Sequence, residues 1–218
     1  MNPTLQDQLG FGPTDLEDGF MRLCKIGFTA ELAEVYQAMK TYMSIVERYQ
    51  DGSIGEPDLC RISDQRNLVQ YHLLSLPSAG QFNRKFRQNY PVYETCRLAG
   101  LIFGVGVIFP LPARTAPFQT LVKLLQAELW ESNLESTWCS RDAAGVLLWI
   151  LTLGGIAAIG LPERAWFVAT LGWATARFDL SRWRDLKQFL ELMPWLDSAC
   201  DSAGQQLWDE LQHSVSLI

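Results

Sequence analysis

The sequence predicts an all-α fold: a single helical domain over residues 1–218, with about seven to nine helices around one central uncharged helix. Three observations lead there. Apolar residues recur at helical spacing along almost the whole chain. No run of alternating, strand-like residues lies between turn signals. Finally, Ala143 to Leu161, AAGVLLWILTLGGIAAIGL, carries no charge, while the segments on either side of it are amphipathic.

The elements follow in order. The first ~12 residues read as a flexible terminus, after which Thr14-x-x-Glu17 has the spacing of a capping box. After Thr29, Leu32, Val35, Tyr36, Met39, Met43 and Val46 share one helical face. Asp51-Gly52 and Gly55 mark a turn. Pro57 opens the next helix as its first residue, and Pro77 closes it beyond Leu68, Tyr71 and Leu74–Leu76. Ser78 to Tyr90 is polar and reads as a loop. Pro91 opens a helix that runs to about Phe109. Pro110 and Pro112 then force a turn, because neither can donate to a helical ladder.

Phe118, Leu121, Val122, Leu125 and Leu129 make a further stripe. The uncharged helix comes next, and Gly154-Gly155 within it reads as a place where another helix packs closely. Pro162 starts a helix through Glu163, Trp166, Val168 and Trp173. Trp183, Leu186, Leu190 and Met193 form the penultimate stripe, and the last helix carries Leu207, Trp208 and Leu211.

Composition narrows the function classes. Of the 218 residues 48% are hydrophobic and 19% charged, enough apolar material for a core and too little charge for a disordered chain. The net charge of −6 offers no cationic surface to displace counterions from a duplex, so direct nucleic-acid binding is not expected. The densest basic segment, Phe82 to Arg87, is short and reads as solvated. Ala143 to Leu161 is long enough to span a bilayer, but its glycines and charge-balanced flanks favour a buried core helix, so no membrane span is expected. The N-terminus lacks a cationic start followed by an apolar run, hence no secretory or transit signal. The five cysteines are widely scattered and include no CxxC pair. That pattern fits a reducing, intracellular compartment, cytoplasmic or nuclear.

Chemistry-bearing motifs are sparse. There is no GxSxG elbow, phosphate loop or HExxH. With only His72 and His213 available, no metal site is expected, and no cofactor. Glu128, Glu131 and Glu135 read as a solvated helix face. The strongest remaining signal is aromatic: eight tryptophans, most of them in the last third. Phe103, Phe109, Trp149, Trp166, Phe167 and Trp173 are the candidate lining of an apolar ligand pocket, although rings of this kind equally fill a core.

Several local motifs add a resemblance. Trp149 stands ahead of Gly154-Gly155, then come Glu163-Arg164-Ala165-Trp166, Trp183, Leu190 to Trp195 and Cys200-Asp201, with an FPLP turn at Phe109 to Pro112. In this arrangement the chain, most clearly residues 92–211, resembles the C-terminal half of the regulatory domain of fungal zinc-cluster transcription factors. Such domains are helical, and some bind apolar small molecules and so control a regulator. The paired-cysteine zinc cluster is not in this sequence. The resemblance therefore implies a non-DNA-binding module that takes an apolar metabolite or partners a full-length zinc-cluster regulator. A homodimer is also compatible with it. The alternative is an enzyme of fungal secondary metabolism recruited from this scaffold. It would catalyse cofactor-independent cyclisation or rearrangement of a terpenoid or polyketide intermediate, in the manner of a pericyclase or isomerase, by holding one reactive conformer. His72, Tyr71, Tyr93 and Arg97 are then the candidate hydrogen-bond donors, each polar on an otherwise apolar segment.

Overall fold

The computed structural model describes residues 19–54, 59–112, 115–138 and 140–215. Every regular element among them is helical, as expected. The described residues form ten α-helices, two short 3-10 turns and one π turn, slightly more helices than the seven to nine expected. The excess comes from short helices that hydrophobic periodicity cannot register. Two compact units divide the chain, one ending at Tyr93 and the other beginning at Glu94.

In the N-terminal unit a 3-10 turn, Phe20–Ile26, ends at Gly27, whose φ of 107° suits glycine alone. A Cβ there would also stand 2.8 Å from Pro91 Cδ. Helix α1, Ala30–Gln50, is capped by Thr29, whose hydroxyl accepts from the Leu32 N–H at 3.2 Å. Leu32, Val35, Tyr36, Met39 and Met43 are all buried, so the face read from the sequence is the one that packs. Val46 is only half-buried. Asp51 accepts from the Ser53 N–H at 2.8 Å in the turn that follows. The capping box at Thr14 and Glu17, and Gly55 with Pro57, lie outside the described residues. Helix α2, Leu59–Ser75, packs against α1.

The polar segment from Ser78 to Tyr90 is not a plain loop. Ser78 and Gln81 form a reciprocal capping box on a 3-10 turn at Ala79–Gln81. Asn83 then caps α3, Arg84–Asn89, by accepting from the Phe86 N–H at 3.0 Å. Capping side chains replace an apolar face here, since no residue of α3 is buried. Phe82 and Phe86 stack with centroids 3.8 Å apart on this basic segment.

Helix α4, Tyr93–Phe103, passes into a π turn at Gly104–Ile108 before the prolines. Helix α5, Ala116–Glu131, buries Phe118, Val122, Leu125 and Leu129. A single turn, α6, Leu134–Thr137, leads to α7, Arg141–Ala157, capped by Ser140. The remaining helices are α8, Arg164–Arg177, α9, Trp183–Leu190, and α10, Asp197–Val215.

Helix α7 is the core of the C-terminal unit: α5, α8, α9 and α10 all pack against it. Leu147, Leu148, Trp149, Ile150 and Leu151 are each fully buried. The uncharged run read as Ala143 to Leu161 stops being helix at Ala157, and Ala158 N–H folds back onto the Gly154 carbonyl at 2.9 Å. No helix among the described residues is long and apolar enough to cross a membrane. The single hydroxyl buried along α7, Thr152, donates to the Leu148 carbonyl at 2.8 Å, which removes its desolvation cost. Gly154 and Gly155 let neighbouring helices come close. A Cβ on Gly154 would lie 2.3 Å from Phe167 Cε1, and one on Gly155 would lie 2.7 Å from Leu207 Cδ2.

Candidate functional site: an apolar pocket in the C-terminal unit

The last turns of α7 border a cavity of about 240 Å³. Its wall combines Ile102 and Phe103 from the end of α4, Gly106 and Val107 from the π turn, and Leu111 beyond it. Phe118 from α5 and Leu153, Ile156 and Ala157 from α7 continue the wall, with Ile159, Ala199 and Cys200 closing it. Phe103, Leu153 and Cys200 are buried and form its floor. Leu111 and Ile159 are 42% and 38% exposed and form its solvent edge.

Local sequence explains the opening. In the π turn the Phe109 N–H reaches back to the Gly104 carbonyl at 2.8 Å, and the Leu111 N–H reaches the Val105 carbonyl at 2.8 Å. A wider turn changes the direction in which side chains leave the helix, and such turns recur at functional sites. Gly106 contributes no side chain. Pro110 and Pro112 prevent the helix from continuing across the opening.

The side chains of the lining are apolar except for one, the Cys200 thiol. Burial pushes its pKa from 9.0 up to about 11, so it is a protonated, weakly polar S–H at neutral pH. The start of α10 is held in place from behind. The Lys187 ammonium bonds the Asp201 carboxylate and lies 2.6 Å from Asp197, while the Trp195 indole N–H donates to Asp201 at 2.7 Å. Burial alone would lower the Lys187 pKa, but the hydrogen bonds it donates to Asp197 and Asp201 outweigh burial and raise the value.

The aromatic candidates are dispersed. Phe103 lines the cavity. Trp149 stands next to it, ring centroids 6.1 Å apart, fully buried and donating its indole N–H to the Pro194 carbonyl at 2.8 Å. Phe109 is half-buried at the end of the π turn and is not part of the lining. Phe167 packs on Gly154 and meets Trp166 edge-on at 5.0 Å. Trp166 stacks at 6.3 Å on Trp130, which is 71% exposed, and Trp173 lies at the surface. The structure thus brings together Phe103 and Trp149 at the pocket, and Trp166 with Phe167 elsewhere on α8.

The donor candidates also separate. Tyr71 is exposed and meets the His72 ring edge-on at 5.5 Å. Burial lowers the His72 pKa, which favours the neutral ring. Tyr93 is buried and donates to the Pro77 carbonyl at 2.7 Å. Arg97 grips Glu94 through two bonds, at 2.9 and 2.7 Å. None of the four is among the residues that line the cavity. No metal-holding cluster of His, Cys, Asp and Glu occurs among the described residues. Cys24, Cys60, Cys96 and Cys200 are free thiols.

Sequence reasoning missed most of the lining because it is aliphatic. Ile102, Val107, Leu153 and Ile156 look like any core residue in a pattern. The available signal was the pair Gly104-x-Gly106 directly ahead of Pro110, small residues placed where a helix is forced to stop.

No protein-family model, curated protein or solved structure matches this chain. The chemistry of the site therefore rests on the residues themselves.

Proposed function

We propose that this chain is a ligand-binding regulatory module, resembling the regulatory half of fungal zinc-cluster transcription factors, and that its pocket takes an apolar metabolite. The observation that carries this reading is the cavity of about 240 Å³ with a floor of buried apolar side chains and an open edge. Burying a ligand there removes its apolar surface from water at ~25 cal/mol per Å². The net charge of −6 favours action through a DNA-binding partner chain over direct contact with a duplex.

Binding is favoured over turnover on chemical grounds. A cyclisation that develops charge is accelerated by a donor placed at that charge. The pocket's side chains offer only the Cys200 thiol, and burial holds that proton firmly.

The test is mass spectrometry of the protein purified from a fungal host, first under native conditions and then after denaturation. An uncharged apolar molecule released in near-stoichiometric amount is the expected result. Protein that is recovered empty, and whose melting temperature no apolar metabolite raises, would refute the reading.

A further inference from the structure

The pocket's dimensions and the open backbone acceptors on its wall narrow the ligand class. A dry cavity of ~150 Å³ accommodates a six-carbon ring. In proportion, about 240 Å³ accommodates about ten carbons. An intact sterol is about three times that size, so most of it would stand outside the open edge. The lining holds no charged side chain, so a charged group placed inside would lose its hydration without compensation.

The acceptor is at the end of α7. Gly154 and Gly155 carbonyls receive the Ala158 N–H, Ile156 receives Ile159, and Ala158 receives Leu161. Arg164 adds a second donor to Gly155. The Ala157 carbonyl receives no backbone hydrogen bond among the described residues, and neither do those of Gly106, Val107, Leu111 and Ile159; all five residues line the cavity, and Ala157 is the one at the last turn of α7. A helix C-terminus presents carbonyl oxygens and a partial negative charge, so it favours a donor and disfavours a carboxylate.

We propose that the pocket binds an uncharged aliphatic alcohol of about ten carbons, chain inward toward Phe103 and Cys200, with its hydroxyl donating to the carbonyl of Ala157. This rests on reading the cavity as a ligand site and goes further by assigning size, charge and head group. The open edge between Leu111 and Ile159 admits the chain end first and leaves the hydroxyl at the last turn of α7.

The test is a homologous series of straight-chain alcohols from hexanol to hexadecanol, with decane, decanoate and ergosterol as comparators. Affinity for the full chain is measured by calorimetry. Affinity should rise by about fourfold per methylene and level off near decanol. Decane and decanoate should each bind at least about tenfold more weakly than decanol. Gly106→Leu fills the pocket from a position where a Cβ meets only Phe118, at 3.7 Å. It should abolish alcohol binding while leaving the unliganded melting temperature unchanged. An unbroken rise to hexadecanol, or decanoate or ergosterol binding as tightly as decanol, would overturn the assigned class and leave the pocket standing. If no member of the series binds, or Gly106→Leu binds decanol unchanged, the cavity is not the site and the underlying reading fails with it.

Discussion

The last turns of α7 show two opposite treatments of one helix. Where Gly154 and Gly155 lie, Phe167 and Leu207 press so close that even a methyl group has no room. Where Leu153, Ile156 and Ala157 lie, a cavity of about 240 Å³ remains. The residues with no side chain are on the filled side, and the larger ones border the space. The cavity therefore does not arise from missing side chains on α7. It arises because the chain opposite, the π turn and its prolines, turns away before it can cover the helix.

That contrast can be broken from the packed side. Trp149→Ala removes a fully buried indole and leaves the Pro194 carbonyl without its donor. The expected loss is about 3–5 kcal/mol of stability, read from the midpoint of urea denaturation. Gly154→Ala places a Cβ 2.3 Å from the Phe167 ring and should cost about 2–3 kcal/mol. Gly155→Ala meets the flexible end of Leu207 instead and should cost about 1 kcal/mol. Equal costs at the two glycines would show that the rigid ring is not what sets the packing.

The open side should respond differently. Gly106→Ala meets Phe118 only at ordinary contact distance, so stability should change by about 0.5 kcal/mol or less. A large loss there would mean that the π turn needs glycine for its own sake.

The floor of the pocket adds an alkaline effect. Burial raises the Cys200 thiol from 9.0 to about 11, so the folded state holds this proton more tightly than the unfolded chain. The stability it contributes is complete below about 9 and is lost as pH rises through about 11. Denaturation midpoints should therefore fall between about pH 9 and about pH 11, and fall less in Cys200→Ala. An identical fall in both proteins would assign the alkaline loss to other groups.

The sequence made the fold legible wherever burial imposes a helical period. Leu32 to Met43 in α1 and Phe118 to Leu129 in α5 recur at the spacing a half-buried helix needs. The uncharged run identified α7 as central because a helix covered on all sides needs no polar face. Legibility ended where local hydrogen bonding takes over from burial. Helix α3 exists through Asn83 and buries none of its residues, so no period announces it. The aromatic inventory led to Phe103 and its neighbour Trp149, but a cavity is defined by what fails to fill it. Ile102, Val107 and Leu153 carry the same hydrophobicity in a wall as in a core.

The most direct test of the contrast across α7 is a crystal structure under xenon pressure, since xenon occupies dry apolar cavities and reports them as electron density. A xenon peak is expected in the space bounded by Phe103, Leu153 and Cys200, and none between Gly154 and Phe167. A pocket filled by its own side chains and free of xenon would contradict it.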